Sequence, residues 1–349
     1  MASYERIYQR KRCLKMSSKK SIISFISLLA MTSLISACSG NPSGTGSTPS
    51  SEKSVVLKGV TAWEENNIHS AGFGMFQKKI EEQSNGRIKV QYAGGPESIP
   101  AFNQGDAVRT GVVDFSVLST AYYQNQVPEA VVTNYSELSV EEEWKNGSMA
   151  FLNEIHNKKL NAQFIGRSSG MSYSLYTKKP ITSIDDLKGK RFRTSPVYVP
   201  FIKALGAEAV IMPAGEIYTA IERGVIDGVA WPKGGVTDLG LQKQIKYQIS
   251  PSYWKVDTSM IMNLDRWKQL SKEDQDLINK VAREVEKELP LFIEKFIEDE
   301  QKKLKEAGIQ EVKLPEEEYL KIANDSAWKW VETNLPENGK KLEELFRKK

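Results

Sequence analysis

"AVRTGVVDFSVL", residues 107–118, and "AIERGVIDGVAW", residues 220–231, carry one pattern twice. Each copy begins with Ala, a β-branched residue and two variable positions, then runs Gly, Val, a β-branched residue, Asp. The glycine, Gly111 or Gly224, marks a helix end, because the left-handed residue that closes a helix costs least when it has no Cβ. The apolar run behind it, "VVDFSVL" or "VIDGVAW", has the length and branching of a buried strand. Upstream of each copy lies another strand opened by glycine, "NGRIKVQYA" (85–93) before the first and "KGKRFRTSP" (188–196) before the second. Strand, loop, helix and Gly-Val-x-Asp strand thus occur twice, as parallel strands joined by crossover helices do. The expected fold is α/β in two related lobes. In such lobes ligands collect beyond the carboxyl ends of the strands. Those ends, "YAGGPES", "LSTAYY", "TSPVY" and "AWPKGG", have the Gly, Ser, Tyr and Trp of a wet cleft lined by aromatics.

Alternation within "KRFRT" sends Phe192 to a core and Arg191 and Arg193 to the other face. An arginine so placed needs water, a carboxylate of the chain, or an anion taken from outside. Farther on, residues 271–308 form the longest helical pattern. Ser271 with Asp274 resembles a capping box; Leu277, Val281, Val285, Leu289, Phe292, Phe296 and Leu304 recur at helical spacing; Gly308 closes the run. Pro290 is expected to kink or split it, at ~3 kcal/mol if unrelieved. At 1.5 Å per residue the run reaches roughly 55 Å, more than one lobe, so it is expected to cross both.

The 349-residue chain has a formal charge of +4. Residues 1–37 hold seven Lys/Arg and one Glu, leaving 41 basic and 43 acidic residues beyond them. The basic balance therefore belongs to the first segment, and no nucleic-acid partner is expected. Lys19 and Lys20 precede an apolar run, Ile22 to Ile35, shorter than the ~20 residues of a membrane-spanning helix. It ends in "ISAC" at Cys38 and resembles a bacterial lipoprotein signal peptide, with Met16 an alternative start. The cysteine would then be acylated, and residues 38–54, rich in Gly, Ser, Thr and Pro, would form a flexible tether reaching roughly 20 Å. Cys13 and Cys38 are the only cysteines, so the rest of the chain has none for a disulfide or zinc site.

No Gly-rich phosphate loop, metal-ligand cluster or nucleophile elbow is present. The two histidines stand in unrelated contexts. His156, in "FLNEIHNKKL", reads as a surface residue of an amphipathic helix. His69, after "WEENNI", reads as solvent-facing or near a helix start, with a place in a first-lobe loop as the alternative. No residue set proposes a reaction, and no cofactor or metal is expected.

The segments "FQKKIEEQSNGRIKVQ", "DDLKGKRFRT", "ALGAEAVIMPAGEIYTAIERGVIDGVAWP" and "WKQLSKEDQDLINKVAREVEKE" together resemble the solute-binding subunits of TRAP (tripartite ATP-independent periplasmic) transporters, over about residues 55–335. The resemblance implies a hinged, two-lobe, periplasmic-binding-protein-like fold of type II-like form, with a long helix across both lobes. The expected division is 55–170 plus 259–298 for lobe I and 171–258 plus 299–349 for lobe II. It implies no enzyme but a receptor for a small organic carboxylate, handing it to TRAP membrane permease subunits and tied by Cys38 to the outer face of the cell membrane. Arg193 stands where family members pair an arginine with the ligand carboxylate, bidentately as the guanidinium fork allows. Trp231 stands where many members have a polar residue, with core packing as the alternative role. Ser172 and Tyr173 occupy the place of a frequent second arginine, which favours a monocarboxylate or a keto or hydroxy acid over a dianion. Trp63, Ser119 and Tyr122 lie where first-lobe contacts are made. For Arg191 an internal salt bridge is expected. A sensor built on the same fold, or a surface enzyme acting on a small acid, are the rival readings.

Overall fold

The computed structural model describes residues 54–167 and 170–348. The expected signal peptide and tether, Cys38 included, lie outside the described residues. The strands are β1 (Val55–Thr61), β2 (Ile88–Tyr92), β3 (Phe115–Ser119), β4 (Ala162–Arg167), β5 (Ser172–Thr177), β6 (Arg191–Thr194), β7 (Glu208–Ile211), β8 (Gly228–Pro232), β9 (Tyr247–Lys255), β10 (Thr258–Asn263) and β11 (Gln310–Lys313). They form two mixed sheets, ordered β2-β1-β3-β10-β4 and β11-β9-β5-β8-β6-β7. The chain passes to the second sheet between β4 and β5, returns between β9 and β10, and passes again along the helix Lys272–Glu306 to β11.

The sequence repeat is a repeat of hydrogen bonding. β1 runs parallel to β3 in one sheet, and β6 runs parallel to β8 in the other. At the start of each pair the repeated aspartate ties the strands: Asp114 Oδ2 accepts the Lys58 N–H at 2.7 Å, and Asp227 Oδ2 accepts the Arg191 N–H at 2.9 Å. Gly111 and Gly224 sit at φ +74° and +68°, as helix-ending glycines do. The two lobes then differ by an exchange. Gly59 of β1 pairs with Phe115 of β3, whereas Phe192 of β6 pairs with Gly228 of β8. One bulky ring and one missing side chain fill each site, from opposite strands. One residue farther, Val60 is the first-lobe counterpart of Arg193, so the second lobe has a guanidinium where the first has a plain core residue.

The helix Lys272–Glu306 is unbroken over 35 residues, about 53 Å at 1.5 Å per residue. Ser271 Oγ caps it by accepting the Asp274 N–H at 3.1 Å. Of the kink or split expected at Pro290, the split does not occur. Pro290 is exposed, so water can take up the Glu286 carbonyl that loses its donor, while Leu289 and Ile293 beside it are buried and hold the helix down. Ile278, Val281, Val285, Leu289 and Ile293 pack into the first-lobe core with Leu57, Phe76 and Met260. Leu304 joins the second-lobe core with Tyr176 and Val229. Glu300, fully buried, accepts the Thr237 N–H at 2.7 Å and also its hydroxyl. The helix Glu316–Asn334 packs on β9, and the last helix, Gly339–Phe346, turns back to the first lobe. There Asn146 Nδ2 and Ser148 Oγ both donate to the Leu345 carbonyl at 2.8 Å.

A charged cluster joins the two strand crossovers. Arg167, at the end of β4, pairs with Glu143 at 2.8 Å and with Asp257, between β9 and β10, at 3.2 Å. Its backbone N–H donates to Glu286 Oε1 at 2.7 Å. Glu286 also pairs with Arg283 at 3.2 Å and accepts the Trp144 indole N–H at 3.1 Å. Three carboxylates therefore share two guanidinium groups, all but the partly exposed Arg283 buried. Burial pushes the Glu286 carboxyl up to about 7 and raises that of Glu143.

His156 is a correction: it is fully buried, not a surface residue. It follows Leu152 by one turn, on the inward face. Both ring nitrogens are bonded there, Nδ1 with the Leu152 carbonyl at 2.8 Å and Nε2 with the Tyr123 hydroxyl at 3.1 Å.

Candidate ligand-binding cleft

Two ladders end at the same place. Beyond β1 the chain continues into Trp63, held by the Thr61 hydroxyl, which donates to the Trp63 carbonyl at 2.7 Å. Beyond β3, Ser119 Oγ accepts the Ala121 N–H at 3.2 Å and turns the chain so that Tyr122 faces Trp63, ring centroids 5.8 Å apart. From the second lobe come Tyr173 at the start of β5, Trp231 and Pro232 at the end of β8, and Ser195 and Tyr198 just after β6. With His69 and Val256 these residues line one cavity of ≈ 10 Å³. That is close to the minimum for a single water, roughly 10–15 Å³, so an organic ligand enters only when the walls part.

Trp63, Ser119, Tyr122, Tyr173 and Trp231, named from the sequence, are thus brought together. Arg193 stands behind them. It is fully buried, with its guanidinium carbon 5.2 Å from the centroid of the Trp231 ring. Nε and Nη2 both donate to the Met212 carbonyl, at 3.2 and 2.9 Å, and Nη1 has no partner. Among the described residues no carboxylate pairs with it. Burial raises the Tyr122 and Tyr173 hydroxyls above the usual tyrosine range, and the nearby Arg193 charge opposes that rise in both. Arg191, two residues before it, meets the other fate: it pairs with Asp227 at 3.1 Å and donates to the Gly224 carbonyl at 2.9 Å.

The core role posed for Trp231 is met, and the ring also borders the cavity. Its ring packs in the second-lobe core with Tyr176, Val236 and Leu241, and also lines the cavity, with its indole N–H unpartnered. Of the tyrosine pair, Tyr123 turns away and donates to Ser259 Oγ at 3.2 Å.

His69 is a correction in one part: it lies at a helix start, in the turn just before the helix Ala71–Gln83, and in the cavity wall, but it is 1% exposed, not solvent-facing. The short turn Ile68–Ser70 is fixed by Asn67 Oδ1, which accepts the His69 N–H at 3.0 Å, and by Ser70 Oγ, which donates to the Glu64 carbonyl at 3.0 Å. That turn lays the imidazole against Trp63, centroids 4.9 Å apart. Ser195 and Tyr198 follow β6 in "TSPVY", a segment already marked as a strand end; stacking of Tyr198 on Tyr173 at 3.8 Å selects them. Val256 had no local signal, since it reaches the cleft only because the chain crosses back there.

The sequence profile of bacterial extracellular solute-binding protein family 7 matches residues 59–333. The chain belongs to that family. Its members are the solute-binding receptors of TRAP transporters, extracytoplasmic proteins built as two lobes. The chain is similar, at 28% identity over 258 residues (71% of this chain, 70% of the relative), to a monocarboxylate 2-oxoacid-binding periplasmic protein of Nostoc sp.. In fold it is similar to a TRAP periplasmic solute-binding protein of Desulfovibrio desulfuricans with bound sn-glycerol-3-phosphate, at TM-score 0.75 and 22% identity, covering 84% of this chain and 98% of that one. A Bordetella pertussis extracytoplasmic solute receptor binding pyroglutamic acid gives TM-score 0.74 at 18% identity, covering 84% and 100%. Among the described residues no helix is long and apolar enough to cross a membrane, and no group of three or more His, Cys, Asp and Glu is placed to hold a metal ion.

Proposed function

We propose that this family 7 receptor captures a small monocarboxylate, of the 2-oxo or 2-hydroxy acid class, in the cleft between its lobes and delivers it to TRAP permease subunits. Arg193 carries the reading. A fully buried guanidinium that has no carboxylate partner among the described residues, and one nitrogen unpaired, carries a charge that no anion balances; an anion entering the cleft satisfies it. Bidentate carboxylate pairing suits the free edge of the fork. The aromatic walls suit a short carbon skeleton, and a relative matched over 70% of its length is a monocarboxylate 2-oxoacid-binding protein.

The lobes are divided as 55–170 plus 259–298 and 171–258 plus 299–349, with hinge motion at the β4–β5 and β9–β10 crossovers. Ligand contact with both lobes at once favours the closed arrangement. Cys38 is the acylated residue and residues 38–54 are the tether holding the receptor at the outer face of the membrane. Mass spectrometry of ligand released on denaturing the purified protein, followed by calorimetry with that acid, tests the reading. Release of a carboxylate that rebinds supports it; a cation or uncharged sugar as the native ligand overturns it.

A further inference from the structure

Three polar atoms in or behind the cleft walls are buried without a partner: Arg193 Nη1, Trp231 Nε1 and His69 Nδ1. Arg193 and Trp231 belong to β6 and β8 of the second lobe, whereas His69 follows β1 in the first. Both approach the Trp231 ring, the Arg193 guanidinium at 5.2 Å from its centroid and the His69 ring edge-on at 6.0 Å. The carboxylate of a bound acid accounts for the arginine. Nothing in that role uses the imidazole. It is as buried as a core leucine, flanked by two indoles, and its only fixed bond is through its backbone.

We infer that His69 is the first-lobe specificity residue, an uncharged imidazole that hydrogen-bonds the neutral oxygen at carbon 2 of the acid whose carboxylate meets Arg193. This rests on the function proposed above and deepens it. Burial among aromatic rings disfavours the imidazolium and pushes its pKa down to about 3, so the ring enters binding neutral. A neutral imidazole has one N–H and one lone pair, and so can donate to a keto oxygen or accept from a hydroxyl. It offers no charge to a second carboxylate, which would then be buried unpaired. Because it rides on the first lobe while Arg193 rides on the second, the bond forms only as the cleft shuts. The group at carbon 2 then helps hold the two lobes together.

The test uses matched acids with and without the oxygen: pyruvate against propanoate, and 4-methyl-2-oxopentanoate against 4-methylpentanoate. Affinities are measured by calorimetry on the native protein, His69→Phe and His69→Gln. Native protein should favour each 2-oxo acid over its parent. His69→Phe, which fills the space without a polar atom, should cut that preference about tenfold and leave the unsubstituted acids within about threefold, the scale of one lost hydrogen bond and its buried partner. His69→Gln should restore most of it. An unchanged preference in folded His69→Phe, or an equal loss for both members of each pair, makes His69 a packing residue and overturns the inference. If native protein binds none of the four acids, the inference fails; if the ligand it releases on denaturation is also no carboxylate, the proposed function fails with it.

Discussion

Arg191 and Arg193 differ by two positions in one strand, and their surroundings decide what each does. Arg191 is half-exposed and spends its charge on Asp227; Arg193 is buried, bonds the Met212 carbonyl and has no carboxylate partner among the described residues. Arg193→Ala should therefore weaken carboxylate binding by at least about 2 kcal/mol, roughly 30-fold, while Arg191→Ala leaves affinity within about twofold. Calorimetry on both variants decides it, and equal losses would place the ligand elsewhere. Trp231→Ala should do two things, because the ring is core on one side and wall on the other: destabilise by about 3–5 kcal/mol and alter ligand preference. Denaturant melts read the first effect. Arg193 was legible in the sequence because a strand's alternation and its neighbours announce it. His69 was not, because a short turn outside any periodic element aims its ring.

At the scale of elements, the exchanged Gly–Phe pairs lay a ring over a bare Cα between β1 and β3 and between β6 and β8. A Cβ on Gly228 would lie 2.5 Å from the Phe192 ring and 2.6 Å from the Tyr176 carbonyl oxygen. Backbone cannot give way there as a side chain can. Gly228→Ala should cost about 1–3 kcal/mol or more, seen as a fall of several degrees in Tm, and should shift Arg193, the next residue of the opposing strand, enough to weaken binding as well. Unchanged Tm would mean that the pair is loosely packed. In the long helix, Pro290 lies exposed between buried Leu289 and Ile293. Pro290→Ala returns the missing donor and should raise Tm. The doubled Gly-Val-x-Asp segment made this parallel core readable, since helix stop and strand start are local signals. That the helix would run on through its proline was not readable, because that depends on which face the lobes cover.

Across the whole molecule, the crossovers are held by the Arg167–Glu143–Asp257–Glu286–Arg283 cluster, whose carboxylates outnumber its guanidinium groups. With Glu286 at about 7 in the folded protein against 4.5 in an ordinary environment, the folded state binds that proton more tightly. The stability this group confers is then complete below about pH 4.5 and is lost as pH rises to about 7. Tm followed from pH 4.5 to 8 should carry that falling contribution, and Glu286→Gln should remove it; an identical pH profile in the variant would assign the titration to another group. The two-sheet plan could be foreseen from the repeat, but the pairing of β10 with β3 and β4 could not, since residues more than ninety positions apart leave no local mark. That strand lies inside the first sheet, yet it is made only after all of β5 to β9. Until residue 263 leaves the ribosome, β3 and β4 both keep a bare edge and the amino-terminal lobe cannot close its hydrogen bonding. A chain bound for the far side of a membrane profits from such a delay, because a polypeptide that has not yet set is one that an export channel can still thread.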